Sequence, residues 1–174
     1  MNNLNDSSRY LSIGYYCYII LFILISVRLY AAGLSTNYAD VFIENLSINT
    51  EYNLRISRGL PLKVTNKSKK NMDIVIDVQI PQKDNLKPNA KPLPTEKWVT
   101  ILPQKYTVLP GETGISDVII KIPKDKKLRE KIFQFNLEIC GYPSGKKGGI
   151  SIVPSLLSRV RFSIEKKKKR FLFW

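Results

Sequence analysis

Apolar and polar residues alternate with a period of two along most of the chain beyond residue 33, and two stretches show it most clearly. Met72, Ile74, Ile76, Val78 and Ile80 share one face, with Asp73, Asp77 and Gln79 on the other. Further on, Val118, Ile120 and Ile122 alternate with Ile119 and Lys121, and Phe133, Phe135, Leu137 and Ile139 alternate with Gln134, Asn136 and Glu138. On an extended backbone every second side chain points the same way. Each stretch therefore predicts a strand with one face on a core and the other in water.

The segment 106–139 joins these into strand, tight Pro110-Gly111 turn, strand, lysine-rich connection and strand. Upstream, 40–47 predicts a first strand with Val41 and Ile43 on one face, and 49–58 reads as a polar connection that includes Tyr52 and Leu54. Leu60, Leu62 and Val64 make a second strand, ended by the turn-forming residues 66–71. Residues 81–97 contain Pro81, Pro88, Pro92 and Pro94. Proline has no N–H to give to a ladder, so this is expected as a surface crossover between sheets. Short strands follow over 98–102 and 105–109 around Pro103, with Trp98 plugging the core.

The glycine-rich stretch 141–149 is expected as a hairpin loop, because it lacks phosphate-loop spacing and no helical pattern follows it. Residues 150–153 and 156–164 supply the last strand, with Val160, Phe162 and Ile164 facing in and Arg159, Arg161 and Glu165 facing out. No internal repeat is visible, and past residue 33 no helical period. The whole predicts an all-β antiparallel sandwich of about seven to nine strands over 34–165.

The N-terminus is different. From Ile13 to Val27 the run IGYYCYIILFILISV carries no charge, and Arg28-Leu29-Tyr30 then leads to Ala31-Ala32-Gly33. An apolar helix followed by small residues has the layout of a secretory signal peptide cleaved near Ala32 or Gly33. The same run, extended over 10–30, is also just long enough for a retained membrane anchor. Residues 1–33 are thus a signal peptide or an anchor, and either places the sandwich outside the cytoplasm, in the periplasm or at the cell surface. Cys17 lies within the run and outside any lipoprotein pattern; Cys140 alone would accompany the exported part, so no internal disulfide is expected. Cys140 is expected as a small apolar residue at a strand end.

Charge sharpens the picture. The net charge is +14, and residues 1–33 contribute one positive charge of it, Arg9 and Arg28 against Asp6. Such a balance points to anionic partners, or to lysines that merely solvate the outer faces of a sheet. Export argues against nucleic acid. Lysines 67, 69 and 70, with Lys146 and Lys147, would form basic loop tips. The basic-aromatic tail 166–174 is the candidate contact for an anionic surface, through Lys166, Lys167, Lys168, Lys169 and Arg170, with Phe171, Leu172, Phe173 and Trp174 beside them. Membrane contact would come from residues 13–30 and from this tail.

Catalytic chemistry finds no footing. With no histidine in the chain there is no Ser-His-Asp triad, no Cys-His pair and no histidine-based zinc site. Asp73 and Asp77 fall on the outer face of one strand and Glu112 in a turn, so no carboxylate is buried beside another. No enzyme, cofactor or metal is expected.

Three segments carry a resemblance: LPLKVTNKSKKNMDIVIDVQIP, YTVLPGETGISDVIIKIP and KIFQFNLEI, between Leu60 and Ile139. They resemble exported bacterial immunoglobulin-like modules, both the first domain of pilus-type periplasmic chaperones and the peptidoglycan-binding modules of Gram-positive surface proteins. The resemblance implies an immunoglobulin-like sandwich serving as a binding or structural module at the cell envelope. Its partner would be another envelope protein, taken by strand addition at a sheet edge, or an anionic envelope polymer. The chaperone class adds a second domain and a basic residue in the cleft between the two. This sequence is read as one such domain, so no functional residue is carried over.

Overall fold

The computed structural model describes residues 33–145 and 153–166. Eleven strands lie among them: β1 (Leu34–Thr36), β2 (Asp40–Leu46), β3 (Thr50–Asn53), β4 (Leu62–Asn66), β5 (Met72–Gln79), β6 (Ala90–Pro92), β7 (Val99–Leu102), β8 (Lys105–Val108), β9 (Thr113–Ile122), β10 (Ile132–Pro143) and β11 (Ser155–Ile164). One short helix, α1 (Leu54–Arg58), separates β3 from β4. The apolar N-terminal segment, Lys146, Lys147 and the tail beyond Lys166 lie outside the described residues.

The strands form two sheets. In the first, β9 is the spine: one of its edges pairs with β4 and then with β3, and the other with β7, while β1 lies outside β4. In the second the order is β2-β11-β10-β5-β8, with β6 beside the start of β10. The alternation read from the sequence decides which faces meet. Val118, Ile120 and Ile122 of β9 are buried against Ile74 and Ile76 of β5, Phe135, Leu137 and Ile139 of β10, and Val160 and Phe162 of β11. Trp98 closes the core partly buried, edge-on to Phe133 at 5.5 Å between ring centroids, and Phe133 lies 5.7 Å from Phe162.

Several expectations are corrected. There are more strands than expected, because β1 precedes the expected first strand and β3 and β6 arise in stretches expected as connections. The stretch 49–58 is not a polar connection: it holds β3 and α1. Asn53 caps the helix by accepting from the N–H groups of Arg55 and Ile56, Leu54 is fully buried under it, and Gly59 ends it in the left-handed conformation at φ 64°. Five residues are too few to show a helical period, so the cap residues were its only signal. The two short strands expected at 98–102 and 105–109 are present but lie in different sheets, β7 in the first and β8 in the second, and the chain turns between them at the cis peptide bond between Leu102 and Pro103.

The ladder is not purely antiparallel either, since β2 runs parallel to β11 and β6 parallel to β10. The crossover 81–97 is tied down more than a surface loop would be. Leu93 is buried, and the Gln134 side chain accepts from the Lys87 N–H at 2.9 Å and donates to the Asn85 carbonyl at 2.9 Å. Cys140 is within β10, not at its end, and faces outward, half-buried, with its sulfur 3.6 Å from Ser155 Oγ.

The predicted turn at Pro110-Gly111 is present, with Gly111 at φ 78° and the Glu112 N–H donating to the Leu109 carbonyl. It lies at one pole of the sandwich, where Asn66 bonds both Gly111 and Glu112, and where Gly33 accepts from the Lys67 N–H. The other pole gathers the end of β9, the connection 123–131 and the end of β11, where the Ile164 N–H donates to the Lys131 carbonyl. Along the ten residues of β9 the two poles are about 33 Å apart at ~3.3 Å per residue.

Candidate functional site: the free edge of β2

A sheet edge was the expected contact, and the fold offers one that stands out. Among the described residues β2 pairs with β11 alone, and its seven residues exceed the three or four of the other edge strands β1, β3, β6, β7 and β8. The Arg159 N–H donates to the Ala39 carbonyl, and Asp40, Val41, Phe42 and Ile43 stand in register with Arg159, Val160, Arg161 and Phe162. In a parallel ladder alternate residues bond to one side. Ala39, Val41 and Ile43 therefore bond β11, and Asp40, Phe42 and Glu44 direct their N–H and C=O groups to the open edge. The free stretch ends at Asn45, which takes φ 58°, where the register with β11 shifts.

A groove of about 260 Å³ runs beside this edge, lined by Phe42, Ile43, Glu44, Arg58 and Leu60. Its far wall comes from α1 and the residues after it. Arg58, at the helix end, donates from Nη2 to the Glu44 carbonyl at 3.2 Å, so one outward carbonyl of β2 already has a cationic partner. Leu60 is held by its backbone: its N–H donates to the Leu54 carbonyl, and its carbonyl accepts from the Tyr38 hydroxyl at 2.8 Å. Burial, with a smaller push from the Asp117 charge, raises the Tyr38 phenol to about 12, so it stays a donor at any ordinary pH.

The edge is stiffened from its outer face. Asp40 accepts from Arg159 at 3.2 Å and from Arg161 at 3.1 and 3.2 Å. The Arg161 guanidinium also sits 5.1 Å over the Phe42 ring, leaving that ring 41% exposed beside the groove. Burial pushes the Asp40 carboxyl up, but the hydrogen bonds and charges of the two arginines outweigh it and hold the group below the ordinary carboxylate range.

The residues singled out from the sequence lie elsewhere. Lys166 is exposed just past β11, its carbonyl accepting from Arg129 at 3.5 Å, whereas Lys167, Lys168, Lys169 and Arg170 are outside the described residues. Lys67, Lys69 and Lys70 sit in the turn at the opposite pole, far from the β2 groove along the chain's topology. Asp73 and Asp77 take the outer face of β5, as expected, where they accept from Thr107 at 2.7 Å and Gln104 at 3.1 Å. Among the described residues no three metal-ligating side chains gather, and no helix is long and apolar enough to cross a membrane. Phe42 and Arg58 were missed. The one signal for Phe42 was an aromatic ring on the polar face of a strand, between Asp40 and Glu44; for Arg58 there was none.

Two layers, a strand that changes sheets and a parallel β2–β11 pair define the immunoglobulin-like fold of PapD-like domains. Solved structures share it. The chain is similar to a PapD-like domain of human CEP192, with a TM-score of 0.57 at 6% identity over 79% of this chain and 88% of that one. It is similar to the periplasmic chaperone SfaE, with a TM-score of 0.51 at 10% identity over 79% of this chain and 59% of that one. A chain from a chaperone–tip adhesin complex of CFA/I fimbriae gives 0.50 at 15% identity, over 78% and 57%. This chain thus spans less than two thirds of the two chaperone-related chains. No protein-family model matches the sequence, and no curated protein matches it.

Proposed function

We propose that this protein is a non-enzymatic binding module of the cell envelope that takes an extended segment of a protein partner onto the free edge of β2. The observation that carries the reading is the outward row of backbone groups at Asp40, Phe42 and Glu44 beside the groove. Main-chain bonds along such an edge supply affinity, and the groove supplies selectivity through the side chain that enters it. The charge-free run 13–27 supports export. An assembly chaperone that lends an edge to a client subunit is the second reading, favoured by the shared fold with SfaE at a TM-score of 0.51.

Phe42→Pro tests the reading. The Phe42 N–H faces away from β11, so proline removes an edge donor without breaking the ladder. Peptides selected on the full chain from a random library should lose binding to this variant, and should lose it again when every second backbone N–H of the peptide is methylated. Unchanged far-ultraviolet circular dichroism would establish that the variant folds. Peptides that bind parent and variant alike would refute strand addition at β2. The chaperone reading further requires a subunit that folds only when this chain is present.

A further inference from the structure

Side-chain ties bound the β2 groove at both ends. Before β2 the Tyr38 hydroxyl donates to the Leu60 carbonyl at 2.8 Å, and the Asn37 side chain donates to the Pro61 carbonyl at 2.9 Å and accepts from the Lys63 N–H at 2.8 Å. At the far end Arg58 Nη2 donates to the Glu44 carbonyl at 3.2 Å. The groove of about 260 Å³ lies between these ties, with Ile43 and Leu60 in its lining. It is a bounded slot and not a continuous channel.

Strand addition decides which side chain of a partner would meet this slot. Residues opposite one another in a ladder point to the same face of the sheet. On β2, Asp40, Phe42 and Glu44 are exposed, whereas Ile43 is buried and Val41 packs partly buried on the core. A partner residue opposite Phe42 would therefore join the outer face, and the one opposite Ile43 would turn inward beside Leu60 and Arg58. Tyr38 and Asn37 tie the edge shut on the Val41 side. The slot takes one side chain.

We infer, on the footing of strand addition at β2, that the partner segment carries an aromatic residue opposite Ile43, its ring against Leu60 and beneath the Arg58 guanidinium. Size argues first. A cavity of about 150 Å³ holds a benzene ring, so a methyl or isopropyl group would leave most of 260 Å³ unfilled and its lining without contacts. Charge argues second. Arg58 is exposed, its one hydrogen bond goes to the Glu44 carbonyl, and among the described residues it makes no ion pair. A guanidinium so placed stacks well on an aromatic face. An acidic side chain would also meet Arg58, but the Glu44 carboxylate lines the same slot and has no cation of its own among the described residues, while Ile43 and Leu60 would strip water from a second charge.

The test selects binders to the full chain from a phage-displayed random-peptide library and sorts them with Phe42→Pro; those that lose binding to this variant dock on the β2 edge. Such peptides are expected to share Trp, Tyr or Phe at one position. Changing that residue to Ala should weaken binding to the parent by roughly ten- to a hundredfold, as the loss of about 60–100 Å² of buried ring surface requires. Leu60→Trp fills the slot, and on this variant the same Ala change should cost less than about threefold. Arg58→Gln should weaken the aromatic peptide by about two- to fivefold and leave its Ala version unchanged. Circular dichroism checks that Leu60→Trp folds; should it not, Arg58→Gln, on the exposed side of α1, supplies the comparison. Phe42-dependent binders without a shared aromatic, or with an acidic residue in its place, would overturn the inference and leave strand addition standing. So would equal ring-to-Ala losses on parent and Leu60→Trp, or Arg58→Gln weakening both peptide versions alike. Binders indifferent to Phe42→Pro, or a library that yields none, would refute strand addition itself and the aromatic preference with it.

Discussion

Gly114→Ala probes the contact that locks the two sheets together at β8 and β9. A Cβ at residue 114 would stand 2.0 Å from Cε2 of Tyr106, and 2.8 and 2.9 Å from Cδ2 and Cζ. Gly114 belongs to β9 of the first sheet, opposite Val64, while Tyr106 belongs to β8 of the second. Carbon atoms settle at about 3.5–4 Å, so the ring would have to retreat by at least ~1.5 Å. The ring is partly buried against the core with its hydroxyl buried, so a retreat gives up part of that packing. Either the ring swings out and loses its burial or the strands part. Overpacking of this kind costs typically 1–3 kcal/mol, and we expect about 2–3 kcal/mol here because a whole ring is displaced. Chemical denaturation in urea should show the midpoint falling by about 1–2 M with an unchanged slope, for a slope of ~1.5 kcal/mol per molar. The glycine is not in the left-handed region, so the argument is steric alone. Tyr106→Leu should therefore relieve it, and the same Gly114→Ala change should cost about 1 kcal/mol less or better in that background. Strict additivity of the two substitutions would refute the reasoning.

Two more outcomes are expected. Asn66 is fully buried; it donates to the Val108 carbonyl at 3.0 Å and the Lys70 carbonyl at 2.7 Å, and accepts from the Ser68 N–H and hydroxyl. Asn66→Ala strands the Val108 carbonyl and should cost about 2–3 kcal/mol, read as a lower thermal midpoint by differential scanning calorimetry; a shift of less than about 2 °C would contradict it. Asp40 has its carboxyl held below the ordinary value in the folded state, so its contribution is fully present above the unfolded carboxylate range and is lost as pH falls through the folded value. Urea midpoints of parent and Asp40→Asn should differ near neutrality and converge in acid; a difference that is constant with pH would contradict the role of Arg159 and Arg161.

Much of the fold was legible because a half-buried strand writes its orientation into every second residue. Val118, Ile120, Ile122, Phe133, Phe135, Leu137, Ile139, Val160 and Phe162 all face the core as their spacing requires. The Pro110-Gly111 turn was equally legible, since the turn chemistry is contained within four residues. The breaks were not. Helix α1 covers five residues and is held by its caps and by the burial of Leu54, which depends on what β9 and β3 place beneath it. Cys140 was expected at a strand end, yet β10 runs on past it to Pro143, because the ladder with β5 continues as far as Met72.

The site divides in the same way. By itself the sequence determined that a sandwich would form, which side chains would fill it, that no histidine-based catalysis was available, and that lysines would dominate the surface. Those properties depend on neighbours within a few residues or on composition. Which strand would stand at an edge, which carbonyl Arg58 would meet, and that Lys124 and Lys166 would share a pole were decided only by tertiary structure. Edge status is defined by the absence of a partner, and charge convergence by the approach of segments some forty residues apart along the chain. Neither leaves a local trace, because both arise from how the two sheets are laid out in space and not from the preference of any one segment.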